Sequence, residues 1–362
     1  MAVGSRPELS ELVNVADVER RAAELLEPGV LGYFAGGAGD ERTLRDNVAA
    51  YARHRLLPRV LVDVADVTTR TTVLGREVGS PVLVAPTALQ RLAHPDGEPA
   101  TARAAAGAGT VFTLSTLATS RPSEAAVTGA RQWFQLYVLK DRGVSRALLD
   151  EAVEHGFEAI VLTVDAPRAG RRERDFRTGF AVPPGADMPA VRAALGTDAC
   201  PTPQEFFRLV DPTLTRRDLE RLVDESPVPV IVKGVHAPDD ARRAVEHGAS
   251  AVIVSNHGGR QLDTVPATLD LLPAVVEELA NTPAEVYVDG GVRRGTDVAV
   301  ALALGARAVL IGRPILWGLA CGGEAGARHV LDLLDDELRL ALTLLGAPSP
   351  AHVGPHHLSP AG

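Results

Sequence analysis

The stretch PVPVIVKGVHAPDDARRAVEHGASAVIVSN (227–256) decides the fold. It opens and closes on short apolar, β-branched runs, PVPVIVKG (227–234) and AVIVSN (251–256). Continuous rather than alternating apolar character suits strands covered on both faces. Between them, 237–247 has helical period, with Ala241, Ala244 and Val245 in one stripe and Gly248 in the helix-terminating place. Strand, helix, strand in this order is a parallel βα unit. Six more such runs punctuate the chain: PVLVAP (81–86), TVFTLST (110–116), QWFQLYV (132–138), EAIVLTVD (158–165), EVYVDG (285–290) and AVLIGR (308–313). Eight strands separated by Ala/Arg/Glu-rich helical stretches predict a closed (β/α)8 barrel over about 80–345.

Working outward, residues 1–75 precede the barrel, with helices expected around 15–26 and 40–53. The segment 177–214 breaks the rhythm with Pro183, Pro184, Pro189, Pro201, Pro203 and Pro212. It reads as a long insertion after the fourth strand, a mobile lid. All 362 residues are expected to form one domain, since α/β barrels routinely exceed 250 residues. The apolar stretch Val298–Gly322 is interrupted by Arg307, Arg313 and Pro314. Those residues argue against a membrane span and for a helix, a strand and the start of another helix.

A hydrophobic share of 46% with 23% charged residues is enough for a large buried core. The net charge of −9 argues against a general nucleic-acid binder, because phosphate backbones need a basic face. Cys200 and Cys321 show neither a disulfide framework nor metal-ligand spacing, and read as reduced thiols. No metal is expected. The N-terminal MAVGSRPELSEL has no signal-peptide core and the C-terminal HHLSPAG no organelle address, so the expected place is the cytoplasm.

Catalytic residues of such barrels lie at the C-terminal ends of strands. Those ends carry Thr87, Ser115, Gln135, Tyr137, Thr163, Asp165, Lys233, Ser255, His257, Asp289 and Arg313. A structural barrel would not need that variety in one ring. In SNHGGRQLD (255–263), a histidine just past a strand end, two glycines and an arginine suit a base beside backbone that closely approaches a ligand. The same string could be a turn with an exposed histidine. VDGGVRRGTDV (288–298) and IGRP (311–314) put Gly/Arg clusters after strands seven and eight, the barrel's phosphate position. Tight turns with solvated arginines are the plainer alternative. DAPRAGRRERD (165–175) is either a solvated charge run or a carboxylate with one inward arginine. Lys233 either caps a strand in water or meets an anion at a pocket mouth.

These strings resemble the FMN-dependent 2-hydroxy acid oxidases and dehydrogenases, which include glycolate oxidase, lactate oxidase and mandelate-type enzymes. The likeness runs from about Tyr33 to Leu345. PTALQ (86–90), QLYV (135–138), TVDAPRAGRRERD (163–175), VKGV (232–235), SNHGGRQLD, DGGVRRGTDV (289–298) and GRP (312–314) occur in the family's order. The resemblance implies oxidation of a small (S)-2-hydroxy acid to the 2-oxo acid. His257 is then the base, and Asp165 the carboxylate that orients it. Arg172 and Arg260 hold the substrate carboxylate, aided by Tyr33, while Tyr137 lies near the substrate hydroxyl. Lys233 sits beside flavin N1 and O2. Pro86, Thr87, Ala88, Ser115, Gln135, Tyr137, Thr163 and Ser255 contact the isoalloxazine and ribityl groups. Asp289, Gly290, Gly291, Val292, Arg293, Gly312 and Arg313 form the ribityl and phosphate site.

Leu117 replaces the tryptophan of glycolate oxidase, which predicts a pocket suited to a larger side chain, as in mandelate-type members. Ala88 occupies a position that varies between alanine and glycine, and alanine favours oxygen as acceptor, giving hydrogen peroxide. The alternatives are a dehydrogenase that passes electrons to a quinone or other carrier, and a catalytically silent flavin-binding barrel. No haem domain is expected ahead of the barrel, and 177–214 has no membrane-binding character. A homotetramer or larger assembly is expected, with no nucleic-acid or membrane partner.

Overall fold

A computed structural model describes residues 8–183, 185–199 and 201–359. Cys200, Pro184 and the terminal segments discussed above at 1–7 and 360–362 lie outside the described residues. Eight parallel strands close into a barrel: β1 (Val82–Val84), β2 (Phe112–Ser115), β3 (Gln132–Leu136), β4 (Ile160–Thr163), β5 (Val230–Val235), β6 (Ala251–Val254), β7 (Glu285–Asp289) and β8 (Ala308–Ile311). All eight fall on the expected runs. Closure is made by β8 against β1, with Val309 opposite Val82 and Ile311 opposite Val84.

The two-residue period of a strand sorts these side chains into two cores. Leu83, Trp133, Val161, Ile231, Ile253, Tyr287 and Leu310 pack together inside the barrel. Their neighbours Val84, Phe134, Leu162, Val232, Val252, Val288 and Val309 join the larger core shared with the helices. The same period has a consequence at the C-terminal mouth. Two residues beyond Trp133, Val161, Ile231, Ile253 and Tyr287 stand Gln135, Thr163, Lys233, Ser255 and Asp289. All five are buried polar residues. The register that fills the barrel with apolar side chains therefore rims its mouth with hydrogen-bonding ones.

The expected helices form at Val15–Leu25 and Arg42–Tyr51. The stretch 298–322 divides as expected into the end of Gly295–Ala303, strand β8 and the start of Arg313–Leu345. The last helix is broken by non-helical backbone at Gly322 and Gly323. Ahead of the barrel, a helix and a hairpin were not expected. Pro28–Ala35 is a helix with proline at its start. Thr71–Val73 and Arg76–Val78 form an antiparallel hairpin whose Val73 and Val78 join the barrel's inner core. Its turn residues Leu74 and Gly75 both have positive φ, as a tight two-residue hairpin requires.

The insertion differs from the irregular loop that its prolines suggest. It contains the helices Pro189–Leu195 and Pro203–Leu209, and two of its prolines start them. Proline at the first helical position loses no hydrogen bond, so proline density here marks helix starts. Phe206 and Phe207 pack edge-on against Tyr137, with centroids 5.8 and 5.5 Å away. No helix among the described residues is long and apolar enough to cross a membrane.

Candidate active site

One cavity at the C-terminal mouth of the barrel is lined by every expected site residue except Asp165 and Ser255. Those two stand behind it. Asp165 Oδ1 lies 3.0 Å from His257 Nδ1, and the Ser255 hydroxyl accepts from Lys233 Nζ at 2.7 Å and from His257 N at 3.1 Å.

His257 follows β6 with φ of +59°, a left-handed conformation that turns the chain back over the barrel mouth. Its Nδ1 faces Asp165, and its Nε2 is 3.5 Å from the Tyr137 hydroxyl. Burial pushes the Asp165 carboxyl up, but the charge and hydrogen bond of His257, with Lys233 behind them, outweigh it and hold it below the usual range. Asp165 is therefore an anion aimed at the imidazole. Burial, and next the Asp165 charge, push the Tyr137 phenol well above its ordinary value, so it remains a neutral donor. Tyr137 is held from behind by the two phenylalanines of the insertion.

Arg172 and Arg260 reach the same end of the cavity from different loops. Their guanidinium carbons lie 5.5 and 5.1 Å from the centroid of the Tyr33 ring. That ring stacks on Phe180 at 4.6 Å. Arg260 Nη1 donates to the carbonyls of Tyr33 at 2.7 Å and Gly36 at 2.9 Å. Burial, then the like charge of Arg172, pushes Arg260 down to about 10, still protonated at neutral pH. Two fixed cations over an aromatic ring favour a planar monoanion. The arginine run 168–174 was ambiguous in sequence. In space Arg172 is buried while Arg168, Arg171 and Arg174 are exposed.

The opposite wall fits FMN. Gln135 Nε2, Thr163 Oγ1 and Asp289 Oδ1 are buried without a hydrogen-bond partner, and all three residues line the cavity. Such orphaned groups in one place need a polar ligand. Lys233, 3.0 Å from Asp289 Oδ2, adds a cation among them. Along the β7 and β8 loops, Arg293 and Arg313 also line the cavity, where an anionic group would fit between them. Burial lowers both, and Arg260 and Arg293 next depress Arg313, so a phosphate dianion would relieve this cluster. Gly291 has φ of +87°, and a Cβ on it would meet the Asn47 carbonyl at 2.0 Å. No side chain fits there. The donors of Arg313 reach the carbonyls of Phe34, Gly36 and Gly258, tying this end of the cavity to the loops that carry Tyr33 and Arg260.

Phe34, Phe207, Gly258 and Gln261 also line the cavity and were not foreseen. Phe34 and Phe207 belong to elements that sequence periodicity did not reveal. Gly258 and Gln261 lay inside the quoted SNHGGRQLD string, where only their spacing beside His257 and Arg260 hinted at a role.

Comparison with known proteins shows the family. The family described as FMN-dependent dehydrogenase matches residues 22–360. The chain is 49% identical to L-lactate oxidase of Nostoc sp. over 349 residues, covering 93% of this chain and 95% of that protein. It is 44% identical to human 2-hydroxyacid oxidase 1, covering 93% and 94%. Among solved structures, mandelate oxidase with (S)-4-hydroxymandelic acid superposes with a TM-score of 0.90 at 42% identity, covering 96% of this chain and 98% of that one.

Proposed function

The chain belongs to the FMN-dependent dehydrogenase family, and from that premise we propose that it oxidises a small (S)-2-hydroxy acid to the 2-oxo acid, with oxygen as acceptor and hydrogen peroxide as product. The observation that carries this reading is the pairing of His257 and Asp165 beside the two-arginine pole of the cavity.

Arg172 and Arg260 bind the substrate carboxylate, with the Tyr33 ring as the platform beneath them. Their fork geometry fixes the plane of the anion and so the direction of the α-carbon. Tyr137 donates to the substrate hydroxyl. His257 Nε2 accepts a proton from the substrate, and Asp165 stabilises the imidazolium through Nδ1, as a buried carboxylate does in other histidine-based sites. Lys233, Gln135, Thr163, Ser115, Ser255 and the 86–88 segment would hold the isoalloxazine and ribityl groups of FMN. Asp289, the 290–292 turn, Arg293, Gly312 and Arg313 would hold the ribityl chain and phosphate. When bound, FMN supplies the two-electron acceptor.

Leu117 supports a substrate with a side chain larger than hydrogen, because it lines the cavity where glycolate oxidase carries tryptophan. Phe207 shares the cavity and offers an aromatic wall to such a side chain. We expect a higher kcat/KM for (S)-mandelate than for glycolate, with one peroxide released per acid oxidised. Leu117→Trp is expected to lower activity on mandelate more than on lactate. Preference for glycolate in the unmodified protein would mean that Phe207 and its neighbours fill the space. Turnover only with a quinone, without peroxide, would replace the oxidase reading with the dehydrogenase one.

We also propose a homotetramer or larger assembly in the cytoplasm, to be checked by gel filtration and by localisation of the tagged protein. Val60, Leu61, Leu340 and Leu344 give it exposed apolar surface for a second copy. The Arg59 N–H to Leu345 carbonyl bond brings the two segments together.

A further inference from the structure

The base and its carboxylate come from different loops, and so do the two arginines. Asp165 and Arg172 follow β4, while His257 and Arg260 follow β6. Their relative position therefore depends on how the two loops are held against each other. We infer that Gln261 is the positioning residue that clamps them, an inference that rests on the roles proposed above for these four residues.

Gln261 uses both faces of its amide across a sequence gap of more than ninety residues. Its Nε2 donates to the carbonyl of Asp165 at 3.1 Å and to that of Arg168 at 2.9 Å. Its Oε1 accepts from the Gly170 N–H at 3.0 Å. Only a primary amide offers two donors and an acceptor in this plane. A reversed amide would set its oxygen against two carbonyls, so the orientation is fixed by its neighbours. The loops also touch through their backbones. A Cβ on Gly170 would lie 2.2 Å from the Arg260 carbonyl and 2.6 Å from the Gln261 carbonyl. Glycine lets the loops meet, and the Gln261 amide locks their register. The Asp165 carbonyl it grips belongs to the same residue whose carboxylate faces His257 Nδ1 at 3.0 Å. Release of that carbonyl lets Asp165 turn away from the imidazole and lets Arg172 drift from Arg260.

The test uses the FMN-loaded enzyme with Gln261→Met, which keeps the length and removes the polar groups. Gln261→Glu, which keeps the shape and loses the donors, is the second variant should the first lack FMN. Three hydrogen bonds at about fivefold each predict a slowing of anaerobic flavin reduction on the order of 100-fold. Binding of the 2-oxo acid product to the oxidised enzyme, followed by perturbation of the flavin spectrum, is expected to weaken several-fold. A purely structural role would lower thermal stability without changing that affinity. Combined with Asp165→Asn, the loss is expected to be smaller than the product of the single losses, because both changes disable the same pair. Fully multiplicative losses, or near-native reduction by FMN-loaded Gln261→Met, would overturn the clamp. A harmless Asp165→Asn would instead remove the reading beneath it.

Discussion

Replacement of His257 by asparagine is expected to leave a yellow, FMN-loaded protein whose flavin is reduced more slowly by about 10²–10⁴-fold, the usual contribution of a general base. Asparagine is the informative choice. Residue 257 has φ of +59°, and asparagine tolerates this left-handed backbone better than most residues. Its amide can still donate toward Asp165, so the buried carboxylate keeps a partner. What it lacks is a proton acceptor of suitable basicity at the position of Nε2. Apart from Ser255, which accepts from the backbone N–H of residue 257, the groups proposed to hold the flavin belong to other strands and are untouched. Stopped-flow mixing with (S)-mandelate in the absence of oxygen reads the step directly. Reduction near the native rate would show that the proton leaves by another route.

The methyl ester or amide of a good substrate is expected to lose roughly 10- to 100-fold or more in kcat/KM. A hydrogen bond to a charged group contributes roughly 1.5–3 kcal/mol. Arg172 is buried and Arg260 half-buried at one pole, and desolvation of Arg260 together with the like charge of Arg172 makes an anion there favourable. The amide is nearly isosteric with the carboxylate and leaves the guanidinium charge without a partner, and the methyl ester does so with an added methyl group. The intrinsic reactivity of the α C–H bond is, if anything, higher in the ester and amide than in the carboxylate, so a lower kcat/KM for them reports lost binding at the arginines. Equal turnover of the two would mean that the arginines serve the fold and not the substrate.

Most of the barrel was legible in the sequence for one physical reason. Parallel strands covered on both faces are continuous apolar runs, and all eight were visible as such. The polar rim was legible for the same reason, since the strand period that sends Trp133 and Tyr287 inward also carries Gln135 and Asp289 to the mouth. The helix Pro28–Ala35 was not legible. It is eight residues long, contains two glycines and shows little amphipathic contrast, yet it brings Tyr33 and Phe34 to the cavity. In the insertion, prolines that open short helices resembled those of an irregular loop. Which arginine of RAGRRER turns inward could not be read from a charge run, because the choice depends on where the loop crosses Tyr33. Gln261 was invisible as a clamp for a related reason. Its partners are backbone groups of residues 165, 168 and 170, and backbone groups carry no sequence signal.

The most direct test of the account is to mix the purified yellow protein with (S)-mandelate or (S)-lactate without oxygen, then admit air. The account predicts that the flavin bleaches, one 2-oxo acid appears per FMN, and the yellow colour returns with one peroxide. A flavin that stays yellow with every (S)-2-hydroxy acid supplied would contradict it.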